Sequence, residues 1–140
     1  ADGCRQKGWC VLIYSHWTDV PDSAWPYKYF KPYEIACKGT GELLINHEAI
    51  AALDDFRGFL GHPVGLSSAY RSVYHNSKVG GAPLSSHTRR GSNGPSAFDV
   101  KLNGWEKSVL RRLAEQAGFK GFGMKYNTFI HIDMGRRRSW

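Results

Sequence analysis

The sequence has no run of about 18 apolar residues, so no membrane-spanning helix is predicted. It has no low-complexity linker and no internal repeat, which excludes solenoids and tethered multidomain arrays. Cysteine is scarce: Cys4, Cys10 and Cys37 form no Cys-x-x-Cys pair, which disfavours a cysteine-based structural zinc site. Cys4 and Cys10 could close a short disulfide in an oxidising compartment and leave Cys37 free; three unpaired thiols is the alternative. Acidic residues are outnumbered, 12 against 19 Lys and Arg, for a net charge of +7. A leader with the signal-peptide pattern is also lacking, and the start at Ala1 reads as that of a trimmed or processed chain.

Much of the excess positive charge sits at Arg89-Arg90, Arg111-Arg112 and Arg136 to Arg138. Such a surface favours a polyanionic partner through long-range attraction. Nucleic acid and an anionic cell wall both fit that description. Nucleic acid is disfavoured, because most aromatic residues fall in the N-terminal third or in expected strands rather than on a stacking platform.

At 140 residues and 41% hydrophobic content the chain suits one domain with one core. Residues 1–29 read as an irregular cap containing one short strand, Val11 to Tyr14, followed by punctuation at Pro21 and Pro26. Asn46 is placed to cap a helix from His47 to Leu60, whose Ile50, Leu53, Phe56 and Leu60 share one face. A buried strand is expected over Val64 to Tyr70, and a short helical turn or loop over Ser72 to Ala82. A second strand is expected over Ala97 to Leu102. Asn103 would cap a second helix with Glu106 completing a capping box; Val109, Leu110, Leu113 and Ala117 would form its buried face. Phe119 to Gly123 and Thr128 to Met134 read as closing strands. No strand–helix–strand rhythm repeats, which predicts an α+β fold, a mainly antiparallel sheet flanked by two main helices.

The chemistry-bearing residues lie between Ser68 and Asp133. His87, Asp99 and His131 are donors suited to one zinc ion with an open coordination position. His131 and Asp133 are two apart on an expected strand and so share a face. Asp133 is then close enough either to act on a water or to orient a ligand histidine. Spacing alone does not decide for this trio, and His16, His47, His62 and His75 read as packed or surface residues.

Several motifs in fixed order decide it: Ser68-Ala-Tyr-Arg71, Asn76-x-x-Val79-Gly-Gly-Ala-x-x-Ser-x-His87, Ala97-x-Asp99, and Phe129-Ile-His131-Ile-Asp133-x-Gly135. This order resembles the zinc D-Ala-D-Ala carboxypeptidase family of peptidoglycan peptidases, whose fold is shared with Hedgehog domains and some phage endolysins. The resemblance covers about residues 30 to 140 and leaves residues 1–29 outside it. It implies a monomeric zinc metallopeptidase, a carboxypeptidase or endopeptidase, acting on peptidoglycan at the bacterial cell wall, whether periplasmic, secreted or phage-delivered. A zinc-containing binding module without catalysis is the alternative that the fold also permits. His87, Asp99 and His131 are then the implied ligands, Arg71 the group that binds a substrate carboxylate or the oxyanion, and Ser86 a substrate contact.

Two departures stand out. His87 and Asp99 are twelve residues apart, a longer gap than the family usually has, with Arg89 to Pro95 forming a loop between them. Thr128 occupies the position where many relatives carry a carboxylate base. Asp133 is the nearest acidic replacement and is the expected general base.

Overall fold

Asn46 ends one strand and begins the longest helix. Its side chain accepts a hydrogen bond from Ala49 N, capping the helix His47–Leu60, which Gly61 terminates in the left-handed conformation. In the computed structural model, which describes residues 11–91 and 93–140, this helix is the second of four. The four are α1 (Pro32–Ile35), α2 (His47–Leu60), α3 (Val73–Lys78) and α4 (Lys107–Ala117). Ile50, Leu53, Phe56 and Leu60 are all buried, as their helical spacing requires.

Among the described residues, seven strands form two sheets. β1 (Val11–Tyr14) pairs antiparallel with β2 (Leu43–Asn46) as a separate ribbon. The main sheet has the order β3 (Leu66–Ser68), β4 (Phe98–Lys101), β6 (Phe129–Asp133), β5 (Gly121–Gly123) and β7 (Arg138–Ser139). Its first four strands are antiparallel, whereas β7 joins β5 in parallel. The α+β expectation holds in its coarse form. The sheet is mixed rather than antiparallel throughout, a second ribbon stands apart, and two short helices accompany the two long ones.

Alternation along the strands divides the main sheet into two faces. Phe98, Val100, Phe122, Ile130 and Ile132 are buried in the core with α2 and α4, while Asp99, His131 and Asp133 project from the opposite face. Ile130 and Ile132 of β6 thus support the helices, while Phe129, His131 and Asp133 are delivered to the outer face. Cys37 is buried and free; Cys4 and Cys10 lie outside the described residues. No described helix is long and apolar enough to cross a membrane.

The start of α4 corrects a reading. Asn103 does not cap it: Asn103 and Gly104 both take positive φ, at 45° and 88°, in a turn closed by Trp105 N donating to Leu102 O. An Asn-Gly pair suits such a turn, because both central residues must enter the left-handed region. Glu106 then takes the N-cap position without a side-chain cap hydrogen bond. Leu110 and Ala114 are the fully buried residues of α4, with Leu113 and Ala117 packed at its margin and Val109 half-buried.

Asn46 also reaches the loop that follows His87. Its Nδ2 donates to Pro95 O at 3.0 Å and to Asn93 O at 3.2 Å. Asn46→Ala is therefore expected to cost about 1–2 kcal/mol, from the lost cap and the stranded carbonyls. Urea denaturation would measure it. Asn46→Asp should recover the cap share while leaving the loop contacts broken.

Candidate metal centre

The strand register lays one row across the outer face: Ser68 opposite Asp99, Asp99 opposite His131, His131 opposite Gly123. His87 joins this row from the loop after α3. Arg71 N donates to His87 O, and Ser96 N donates to Ser86 O, both at 2.9 Å. These bonds fold the long Arg89–Pro95 insertion back on itself, so that His87 and Asp99 meet despite the twelve intervening positions. His87 Nε2 and His131 Nδ1 each lie 3.2 Å from Asp99 Oδ1, and the three donor atoms fall within 4.8 Å of one another. His16, His47, His62 and His75 stand outside this group.

The other nitrogen of each imidazole is held from behind. His87 Nδ1 lies 2.7 Å from Ala69 O, and His131 Nε2 lies 2.6 Å from Asp133 Oδ2. A carbonyl and an ionised carboxylate only accept, so the ring proton of each neutral histidine sits on that rear nitrogen. The front nitrogens then present lone pairs toward the Asp99 carboxylate. Three electron-pair donors facing one another share a cation between them, a proton on an imidazole or a metal ion. Ligand bonds of about 2.0–2.2 Å in a tetrahedral arrangement separate donors by about 3.3–3.6 Å, close to the spacings found. Two imidazoles and a carboxylate, oriented by rear partners, therefore fit a zinc ion.

The electrostatics agree. Burial alone would raise the Asp99 pKa, but hydrogen bonds and charge from His131 and His87 outweigh it and hold the carboxyl at about 2. Burial opposes charge on His131, yet its bonds to Asp133 and Asp99 raise its pKa. A site that raises an imidazole's affinity for a proton raises it for a metal ion by the same field.

Asp133 itself is fully buried and surrounded by donors. Arg138 binds it through two nitrogens at 2.9 and 2.7 Å, Gly135 N donates at 2.9 Å, and Ser86 Oγ donates at 3.2 Å. Burial pushes its pKa up, but His131 and Arg138 together carry it well below the ordinary carboxylate range. Arg138 reaches it by crossing β5 at Gly121, where a Cβ would stand 2.2 Å from both Arg138 Nη1 and Asp133 Oδ1. Two positions on, Gly123 leaves room for the rings of Trp140 and Tyr126, each 2.9 Å from where its Cβ would be. Trp140 packs on the His131 ring at a centroid distance of 5.0 Å.

The comparison with known proteins settles the family. The sequence profile described as peptidase M15 matches residues 28–133, most of the chain. The chain belongs to the peptidase M15 family. M15 peptidases are zinc-dependent, which agrees with the His–Asp–His group described above and indicates a metallopeptidase. No curated protein matches the chain.

In this M15 chain His87, Asp99 and His131 lie on the wall of an open cleft of about 890 Å³. Arg71 and Ser86 line it too. Arg71 is half-buried, and its Nε is fully enclosed without a hydrogen-bond partner. Burial lowers its pKa, and Asp99 opposes that shift. Asp133 does not line the cleft; it stands behind His131 with its oxygens already paired, a poor location for a proton acceptor. Thr128 is exposed just before β6. Among the described residues, Asp99 contributes the only carboxylate to the cleft wall.

The residues that sequence reasoning missed in this M15 chain are Arg138, Trp140, Gly121 and Gly123. A signal existed: Gly121-x-Gly123, Arg138-x-Trp140 and His131-x-Asp133 all have the two-residue spacing of one strand face. Arg138 and Trp140 lie beyond the matched residues, and no spacing rule joins β7 to β5 before the fold is known.

Proposed function

We propose that this chain is a zinc-dependent peptidase that hydrolyses an amide bond in peptidoglycan stem peptides or their crosslinks, acting at the bacterial cell wall. The observation that carries this reading is the convergence of two rear-anchored imidazoles and a carboxylate beside a half-buried arginine with an unpaired nitrogen. His87, Asp99 and His131 would hold the metal. When bound, zinc supplies Lewis-acid polarisation of the scissile carbonyl and acidifies a water.

The chain's own residues do the rest. Ala69 O and Asp133 fix the two imidazoles in the tautomers that leave a lone pair forward. Asp133 takes the orienting role, in place of the general-base role expected for it. Arg71 offers a charged fork of donors to the substrate carboxylate or to the oxyanion that forms at the carbonyl. Ser86 sits at the cleft with its hydroxyl donated to Asp133, so it braces that carboxylate while its backbone frames the opening.

A second reading, a zinc-containing binding module, is favoured by one observation: the cleft has no carboxylate besides Asp99. Incubating purified peptidoglycan with the protein, with and without a chelator, separates the two. New free amines, with muropeptide fragments identified by mass spectrometry and lost on chelation, support the peptidase. Retention on the wall with no fragment released supports the module.

Arg71 provides a sharper check. Arg71→Ala is expected to reduce kcat/KM by roughly a hundredfold or more, the scale of losing one preorganised oxyanion donor. Arg71→Lys keeps the charge but not the fork, and should recover only part. Wild-type turnover in both variants on a cell-wall substrate would remove Arg71 from the mechanism.

A further inference from the structure

The cleft has two ends, and both are cationic. Arg71 follows β3 at one edge of the sheet. Lys120 and Arg136 line the other end, beside β5 and β7. The metal-facing side chains of β4 and β6 lie between them in the strand order. From β3 to β5 is three strand spacings, about 14 Å.

The far end is built from more than charge. Trp140 is fixed there by three contacts: its Nε1 donates to Tyr126 Oη at 3.2 Å, Arg138 stacks on its ring at 4.8 Å, and its backbone N donates to Phe122 O at 2.9 Å. Tyr126 in turn stacks on Phe129, with centroids 4.5 Å apart. Phe129, Tyr126 and Trp140 all line the cleft, giving an aromatic wall at the Gly123 end of β5, while Lys120 stands next to Gly121 at its other end. Arg137 pairs with Glu115 and Arg138 with Asp133, whereas Lys120 and Arg136 enter no ion pair among the described residues.

We infer that Lys120 and Arg136, beside the Tyr126–Trp140 wall, form a second subsite that takes a carboxylate-bearing segment on the flank of the scissile amide opposite Arg71. The favoured ligand is thus an extended peptide with a carboxylate on each side of the bond. The inference rests on the peptidase reading for the bond that is cut, and on the cleft alone for what is bound. Two exposed ion contacts together supply about a tenfold preference.

The probe is a soluble crosslinked stem-peptide dimer, prepared with all carboxylates free or with those of one stem amidated. Calorimetry on metal-free protein reads binding without hydrolysis, and steady-state kinetics on zinc-loaded protein reads KM and kcat. Wild type should bind the free-acid dimer about tenfold more tightly than one amidated form. Lys120→Gln/Arg136→Gln should erase that preference, raising KM more than it lowers kcat, and Lys120→Arg/Arg136→Lys should restore it. Arg71→Gln should instead erase discrimination against the dimer amidated on the other stem. A double variant that keeps the wild-type preference, or that loses both forms equally, overturns the subsite. Should zinc-loaded protein cleave neither dimer, the peptidase reading falls, while the calorimetric preference still decides the subsite.

Discussion

An Asp99→Ala chain is expected to lose high-affinity zinc binding and to hydrolyse wall peptides at least about a thousandfold more slowly than wild type. Asp99 Oδ1 is the atom that both front nitrogens face, at 3.2 Å each. Removing it leaves two imidazoles, and a two-ligand site does not close on zinc with the geometry of three protein donors. The metal's contribution to carbonyl polarisation and water acidity is several kcal/mol, and about 4 kcal/mol corresponds to a thousandfold in rate. Equilibrium dialysis against zinc, paired with fragment release from peptidoglycan, measures both halves. Full activity at stoichiometric zinc would place the metal elsewhere. Melting with and without zinc gives a further readout, since a metal bound only by the native state stabilises it. That stabilisation should be present in wild type and absent in the variant.

Arg138→Leu is expected to destabilise the fold by about 3–5 kcal/mol, because it strands the fully buried Asp133 without its countercharge. Urea denaturation of the metal-free protein isolates this effect. The loosened carboxylate should also weaken its hold on His131, lowering zinc affinity by about 10–100-fold, with activity recovering at excess zinc. Asp133→Asn separates orienting from proton transfer. At saturating zinc it should retain most turnover if Asp133 only orients the ring. Loss of turnover by about a hundredfold or more with zinc still bound would return Asp133 to the role of base. Gly121→Val tests the same brace from the other side, since its side chain would occupy the path of the Arg138 guanidinium.

How legible this was in the sequence depended on range. The helix His47–Leu60 could be read almost to the residue, because its cap, its apolar face and its glycine stop are all local signals. The pairing of His131 and Asp133 on one face followed from strand periodicity, and the two are 2.6 Å apart. Asn103 misled, because an asparagine before a helix can cap it or turn ahead of it, and the following Gly104 tipped it into the turn. The surroundings of Asp133 were hidden for a different reason. What pairs with its buried carboxylate is Arg138, five residues later in sequence but delivered across a parallel strand pair. Asn46 was read as a cap only; its reach to Pro95 depends on a loop whose path no local rule gives. The parallel edge was equally hidden, since a two-residue strand has too little pattern to show.

The two glycines of β5 have a consequence for proteolysis. Arg138 and Trp140 reach the centre only because β7 lies alongside β5, and the chain enters β7 through the exposed residues Arg136 and Arg137. A trypsin-like cut there would leave His87, Asp99 and His131 intact yet release the clamp on Asp133 and the ring over His131. The nicked protein would keep its helices and all three metal donors, yet Asp133 and His131 would lose the partners that hold them in place.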